Sequence, residues 1–247
     1  MAKNLYTQLL ESRKRGKKMF AVLLDPDKTE RAKLKKLVSS AVKAGVDYFF
    51  VGGSLMMNDG LDMTLEIIRR DSDIPSILFP GSSLQINDKA DAIFFLSLIS
   101  GRNPELLIGQ QVMGAPILKK SKLEIIPTGY ILVNGGVPTA VSYISNTTPI
   151  PADKDDIAAC TAMAGEMLGL KAIYMDAGSG AKNPISETMI RSVSRNVNIP
   201  LIVGGGIRTA ENAFANCKAG ADVIVVGNAI EKDGGLIGEM AEAVHGK

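Results

Sequence analysis

Short runs of β-branched and aromatic residues alternate with longer segments of helical period along the whole chain, the pattern of a parallel sheet whose strands are joined by crossover helices. Eight such runs stand out: Met19 to Leu24, Tyr48 to Val51, Ser76 to Phe79, Ala92 to Leu96, Glu124 to Val133, Ala172 to Asp176, Leu201 to Val203 and Val223 to Val226. Between them, apolar spacing predicts helices over Leu34, Leu37, Val38, Ala41 and Val42, over Leu61, Leu65 and Ile68, and over Ala159, Met163 and Met167. Eight βα units in 247 residues fit one α/β domain over residues 1–247, a (β/α)8 TIM barrel. Local echoes support equivalent units: Ala44-Gly45-Val46-Asp47 leads into Val51-Gly52-Gly53-Ser54, and Ala219-Gly220-Ala221-Asp222 leads into Val226-Gly227-Asn228-Ala229.

One unit is short. Between Phe79 and Ala92 the chain offers Pro80, Gly81, two serines and Asn87-Asp88, too little for an ordinary crossover helix. An irregular or extended segment is expected in place of the third helix, leaving an opening in the outer ring. The stretch from Asn134 to Asp153, rich in Gly, Pro, Thr and Ser, is expected to be an irregular active-site loop.

Composition removes several function classes. The only histidine is His245, close to the carboxyl terminus where fraying is expected, so a histidine-based triad or metal site has no material. Cys160 and Cys217 are too few and too far apart for a disulfide framework or a structural zinc site, and are expected to be buried packing residues. A formal net charge of +2 supplies no general field for nucleic acid. No uncharged apolar run approaches the ~18 residues of a membrane span, and the charged amino terminus is unlike a signal peptide, which points to the cytoplasm. The cluster Arg13, Lys14, Arg15, Lys17 and Lys18 reads first as a solvated helix end and second as a patch for anionic headgroups at a membrane periphery.

Barrel enzymes place their chemistry at the carboxyl ends of the strands. There this chain carries Gly52-Gly53-Ser54, Tyr174-Met175-Asp176-Ala177-Gly178-Ser179-Gly180, Gly204-Gly205-Gly206-Ile207-Arg208 and Gly227-Asn228. Glycine corners after the seventh and eighth strands let backbone N–H groups close around phosphate oxygens, predicting a phosphate site at these two corners together. Across the mouth, Asp25-Pro26-Asp27-Lys28 follows the first strand. Asp25 suits Mg2+, which takes one or two carboxylates and completes its octahedron with water and substrate phosphate, whereas Asp27 or Thr29 reads as a helix cap. Asp176, ending an otherwise apolar strand, is the candidate general base, with orientation of its glycine loop as the competing role.

In their order and spacing these motifs resemble the geranylgeranylglyceryl phosphate synthases and their bacterial relatives, the heptaprenylglyceryl phosphate synthases. The resemblance covers most of the chain, and Ser97 to Pro104 is similar to the family's second group, which transfers geranylgeranyl groups and forms larger oligomers. It implies a prenyltransferase in which sn-glycerol 1-phosphate lies across Tyr174, Met175, Asp176, Ala177, Gly178, Ser179 and Gly180. Its phosphate would rest on Gly205, Gly206, Gly227 and Asn228, while Asp25 and Ser54 hold Mg2+ against a prenyl diphosphate. It implies a homo-oligomer, dimer or hexamer. The family usually has Glu where this chain has Asp176, a shorter reach for the carboxylate. The prenyl tail is expected beside the short third crossover, against Phe94, Phe95, Leu96, Leu98 and Ile99. A heptaprenyl donor, a sugar-phosphate isomerase or lyase, and a silent phosphometabolite-binding barrel are the other readings of the same corners.

Overall fold

The structure is a computed structural model, described here over residues 4–28 and 30–246; Thr29, weighed above as a cap, lies outside the described residues. Eight parallel strands close into a barrel in sequential order, β1 (Met19–Leu24), β2 (Tyr48–Val51), β3 (Ser76–Leu78), β4 (Ala92–Leu98), β5 (Glu124–Leu132), β6 (Ala172–Asp176), β7 (Leu201–Gly204) and β8 (Val223–Val226), with β8 pairing back onto β1. The alternating runs set this outcome. A strand buried on both faces needs apolar residues at consecutive positions, and β2, β7 and β8 are buried at every residue. One set of side chains fills the barrel interior, with Tyr48, Phe50, Phe94, Tyr130 and Tyr174 among them. The alternate set packs outward against the helices.

The outer ring comprises α1 (Leu5–Lys14), α2 (Arg31–Ala44), α3 (Leu61–Asp71), α4 (Gln110–Leu118), α5 (Ala140–Ile144), α6 (Asp155–Met167), α7 (Glu187–Asn196), α8 (Ala210–Ala219), α9 (Asn228–Lys232) and α10 (Leu236–His245). In α2 and α3 the expected faces are buried, Val42 excepted. The face of α6 is rotated from the expected one: Ala158, Ala159, Ala162 and Gly165 pack inward and Met167 is exposed. Small residues let α6 approach the barrel closely, so the bulkier Met167 is turned out; a Cβ on Gly165 would fall 2.8 Å from Ile99 Cδ1.

The third crossover contains no α-helix, only a 3₁₀ turn at Ser83–Gln85. After β4 the chain makes a π-helical turn, Glu105–Gly109, which runs directly into α4. The stretch expected to be irregular from Asn134 instead holds α5, begun by reciprocal bonds between Thr139 and Ser142, and a parallel bridge from Ile150 to Val133.

The floor of the barrel, at the amino ends of the strands, is closed by α1. Leu5 and Leu9 are fully buried there, and Glu124 accepts from the first two amides of the helix, Leu5 N at 2.6 Å and Tyr6 N at 2.9 Å. The basic cluster sits on this floor. Arg13 pairs with Asp222 at 2.5 Å, Lys18 lies 3.7 Å from Asp222 and Lys17 lies 3.6 Å from Asp47. His245 does not dangle at a frayed end; it closes α10 with Nε2 2.8 Å from Asp47. Cys217 is buried as expected, whereas Cys160 is exposed on α6.

Candidate active site

At the opposite end, the loops after β6, β7 and β8 converge. Gly205 and Gly206 have φ of +79° and +71°, a left-handed backbone that glycine alone adopts without strain. They are also pressed against their neighbours: a Cβ on Gly205 would lie 2.4 Å from Asp176 Oδ1, and one on Gly206 2.7 Å from the Asn183 carbonyl oxygen. Asn228 Nδ2 donates to Ser179 Oγ at 2.9 Å, tying the β8 loop to the β6 loop. Arg208 donates to the carbonyls of Ala181 and Lys182, so this residue of the glycine motif braces the loops. Gly178, Ser179, Gly180, Gly205, Gly206, Gly227 and Asn228 thus come together at one side of the mouth.

Asp176 is buried at the foot of that cup. Its Oδ1 accepts from Gly178 N at 2.7 Å and its Oδ2 from Tyr130 Oη at 2.5 Å. Burial pushes the carboxyl above the usual range, and these two bonds oppose the shift by favouring the charged form. Burial, reinforced by the Asp176 carboxylate, holds the Tyr130 phenol far above its ordinary range, so it stays a donor. Tyr174 is fully buried inside the barrel beneath the site, whereas the Met175 and Ala177 side chains are buried in the outer core against the helices. Tyr130 is the residue that sequence reading missed. It sits inside a strand predicted from its apolar run, where a tyrosine reads as packing, and only the register Tyr130↔Tyr174 brings its hydroxyl to Asp176.

From Tyr130 an apolar groove runs sideways out of the barrel through the gap left by the third helix. Phe79, Leu96, Leu98, Leu106, Ile86 and Gly114 are among its walls. Of the five residues expected there, Leu96 and Leu98 line it. Phe94 is in the barrel interior, while Phe95 and Ile99 pack against the outer core. Strand alternation sorts them: the inward Leu96 and Leu98 of β4 reach the groove from the barrel side, while Ile93 meets it from the outer face. Gln85 holds the floor together, accepting from Gly81 N and donating to the Gly53 carbonyl, both at 3.0 Å. The backbones are so close that a Cβ on Gly52 would lie 2.1 Å from the Phe79 oxygen.

Ser54 lines the groove's inner end, and Asp25 stands beside the same loop, its Oδ1 3.5 Å from where a Gly53 Cβ would be. Lys28 Nζ is 2.6 Å from Asp25 Oδ2, and Asp25 N donates to Glu231. Burial raises the Glu231 carboxyl, while the Asp25 amide and Lys28 pull the other way. Among the described residues no group of three metal-binding side chains occurs. One carboxylate and one hydroxyl fit a Mg2+ that takes most of its ligands from a diphosphate and water, and would not hold a metal alone. Asp27 is not a helix cap: its carboxylate accepts from Met57 N and Asn58 N and anchors the β2–α3 loop, while Glu30 precedes α2.

A closed parallel barrel with a glycine cup on one side of its mouth, an apolar groove on the other and a buried carboxylate between them defines a phosphosubstrate barrel built for a second, hydrocarbon-bearing partner. Residues 11–245 match the PcrB family, and the chain belongs to it. It is 59% identical to the geranylgeranylglyceryl phosphate synthase of Chitinophaga pinensis over 99% of this chain and 97% of that one, and 45% identical to the enzyme of that name from Thermococcus kodakarensis over 89% and 86%. The crystal structure of (S)-3-O-geranylgeranylglyceryl phosphate synthase from Thermoplasma acidophilum in complex with sn-glycerol-1-phosphate superimposes with a TM-score of 0.93. It is 34% identical, and the match covers 98% of this chain and 99% of that one.

Proposed function

We infer that this chain is a prenyltransferase that joins the geranylgeranyl group of geranylgeranyl diphosphate to the 3-hydroxyl of sn-glycerol 1-phosphate, releasing diphosphate, in ether-lipid synthesis. The observation that carries the mechanism is Tyr130: its ring lines the groove while its hydroxyl holds Asp176 beside the cup. The acceptor lies across the residues from Tyr174 to Gly180 with its phosphate on Gly205, Gly206, Gly227 and Asn228. Anchoring that phosphate away from the reacting oxygen fixes the hydroxyl's direction. The donor tail lies in the groove with its diphosphate toward Ser54, Asp25 and Lys28. The allylic carbon–oxygen bond breaks to release diphosphate, the acceptor oxygen bonds to that carbon, and its proton passes to the Asp176–Tyr130 pair. Burial makes Asp176 a stronger proton acceptor than an exposed carboxylate.

Asp25 and Ser54 would hold Mg2+, which supplies Lewis-acid neutralisation of the leaving diphosphate. Lys28, paired with Asp25, brings a second positive charge to the same oxygens. A sugar-phosphate isomerase would have no use for the apolar groove. The same reading has the chain act in the cytoplasm as a dimer or hexamer, to be counted by light scattering. Incubation with labelled sn-glycerol 1-phosphate and a prenyl diphosphate series in Mg2+ tests the assignment, and the absence of any ether product would overturn it.

A further inference from the structure

The loop between β2 and α3, residues 52–60, has neither helix nor strand, yet it carries Ser54. It is seated on the segment that follows β1. Gly52 N donates to the Leu24 carbonyl at 3.1 Å, Gly53 lies against the Asp25 carboxylate, and a Cβ on Gly60 would fall 2.6 Å from the Pro26 oxygen. Between those ends, among the described residues, side chains from outside the loop bond to it at two places. Gln85 Nε2 donates to the Gly53 carbonyl, and the Asp27 carboxylate accepts from Met57 N at 2.5 Å and from Asn58 N at 3.0 Å. Asp27 also faces the other way: its own amide donates to Asp25 Oδ1 at 3.1 Å, while Lys28 Nζ holds Asp25 Oδ2. One half-buried residue therefore bonds through its backbone to the carboxylate proposed for Mg2+ and through its side chain to the loop of the proposed hydroxyl.

We propose that Asp27 is a positioning residue for the diphosphate side of the site, a clasp that keeps Ser54 at a fixed reach from Asp25. The inference rests on the assignment of Asp25 and Ser54 to Mg2+. One carboxylate and one hydroxyl hold a metal weakly, so they depend on being set in place beforehand: any ordering of the loop left to the moment of binding is subtracted from the affinity. A carboxylate suits the task. It offers two acceptor oxygens and no donor, which matches two adjacent N–H groups, whereas the amide of Asn matches only one and turns its NH2 toward the other. Both oxygens of Asp27 are engaged by those backbone amides, which sets it apart from a ligand. Because the bond to Asp25 comes from the Asp27 backbone, changing the side chain releases the Ser54 loop and leaves Asp25 held.

The test compares Asp27→Asn and Asp27→Glu with the unmodified chain. In protein without metal or substrates, the Met57 and Asn58 amides should exchange hydrogen at least about tenfold faster in Asp27→Asn, with the amides of β1 and β2 unchanged. With a non-hydrolysable prenyl diphosphate analogue present, the Kd for Mn2+, counted by electron paramagnetic resonance, should rise about ten- to hundredfold. The Mg2+ concentration for half-maximal rate should rise in step, while kcat at saturating Mg2+ and the Kd of sn-glycerol 1-phosphate hold near their original values. Asp27→Glu keeps both acceptors on a longer stem and should recover part of each loss; if Asp27→Asn does not fold, Asp27→Glu carries the same comparison with smaller shifts. Faster exchange with unchanged Mn2+ affinity would overturn the proposal by leaving Asp27 a purely structural role, and unchanged exchange would overturn it outright. Loss of Mn2+ binding as complete as in Asp25→Ala, with no recovery in Asp27→Glu, would overturn it in favour of direct ligation. Failure of the Mg2+ assignment shows separately: Asp25→Ala would then bind Mn2+ as the unmodified chain does, and the proposal falls with it.

Discussion

Gly206→Ala is expected to weaken binding of the acceptor while sparing the donor, and Gly180→Ala provides the comparison that separates two causes. Both glycines are left-handed, with φ of +71° and +83°, so each alanine meets a conformational cost of about 1–2 kcal/mol. They differ in space. A Cβ on Gly180 has nothing within 4 Å, whereas one on Gly206 would lie 2.7–2.8 Å from the backbone of Asn183 and Pro184. Backbone cannot swing aside like a side-chain tip, so the crowding at Gly206 adds about 1–3 kcal/mol by the usual cost of overpacking. Relieving that crowding moves the turn that would hold phosphate. At about 1.4 kcal/mol per factor of ten, the acceptor's Kd should rise roughly ten- to hundredfold beyond the change at Gly180. Calorimetric titration with sn-glycerol 1-phosphate, and separately with a non-hydrolysable prenyl diphosphate analogue, measures both affinities. Equal loss of the two ligands would mean general damage, and unchanged acceptor affinity would refute the phosphate cup.

Asp25→Ala should lower turnover at least about a hundredfold at saturating Mg2+ with an unchanged thermal midpoint, since it removes the carboxylate proposed for the metal; near-normal rates would remove Asp25 from the site. Tyr130→Phe deletes a hydrogen bond that lowers the Asp176 pKa, so the carboxyl should protonate at higher pH and the acid limb of the kcat/KM profile should move upward, as read from pH–rate curves. Asp176→Asn should abolish turnover yet raise the thermal midpoint near neutral pH. The folded pKa is raised, so the native carboxyl stabilises the fold relative to higher pH only below its unfolded value and loses that contribution as pH rises through the folded one; the gain from Asn should vanish in acid. With donors of increasing length, kcat/KM should climb at about 0.8 kcal/mol per buried CH2 until the groove is full, and Leu98→Trp should bring that limit to shorter tails; a flat series in both proteins would show that the groove does not select.

The barrel was legible because its strands are buried on both faces, which forces uninterrupted apolar runs that no surface strand shows. The short third crossover was equally plain from Pro80, Gly81 and Asn87-Asp88, and the structure has only a 3₁₀ turn there. What the runs hid was orientation. A continuous run does not say which alternate residue faces inward, so Phe94, Phe95 and Ile99 were as eligible for the groove as Leu96 and Leu98. Met167 was misplaced for a related reason: alanines and a glycine carry too little hydrophobic weight to mark the face that packs closest. Tyr130, Gln85 and Glu231 act through partners 46, 32 and 206 residues away, a distance at which only strand register and loop contact bring side chains together.

The missing third helix gives the site two entrances. On the proposed reading a phosphate would reach the glycine cup through the open mouth and a tail would enter through the side of the ring, so neither substrate would block the other and no fixed order of binding would be imposed. Departure is different. On the same reading the product of joining the two would have its phosphate in the cup and its tail in the groove, and would have to clear both entrances together. A barrel with one door would release such a product by simple reversal of entry; on the proposed reading this one would hold it by both ends, and release rather than bond formation is then the step expected to be slow, as a pre-steady-state burst of product would show.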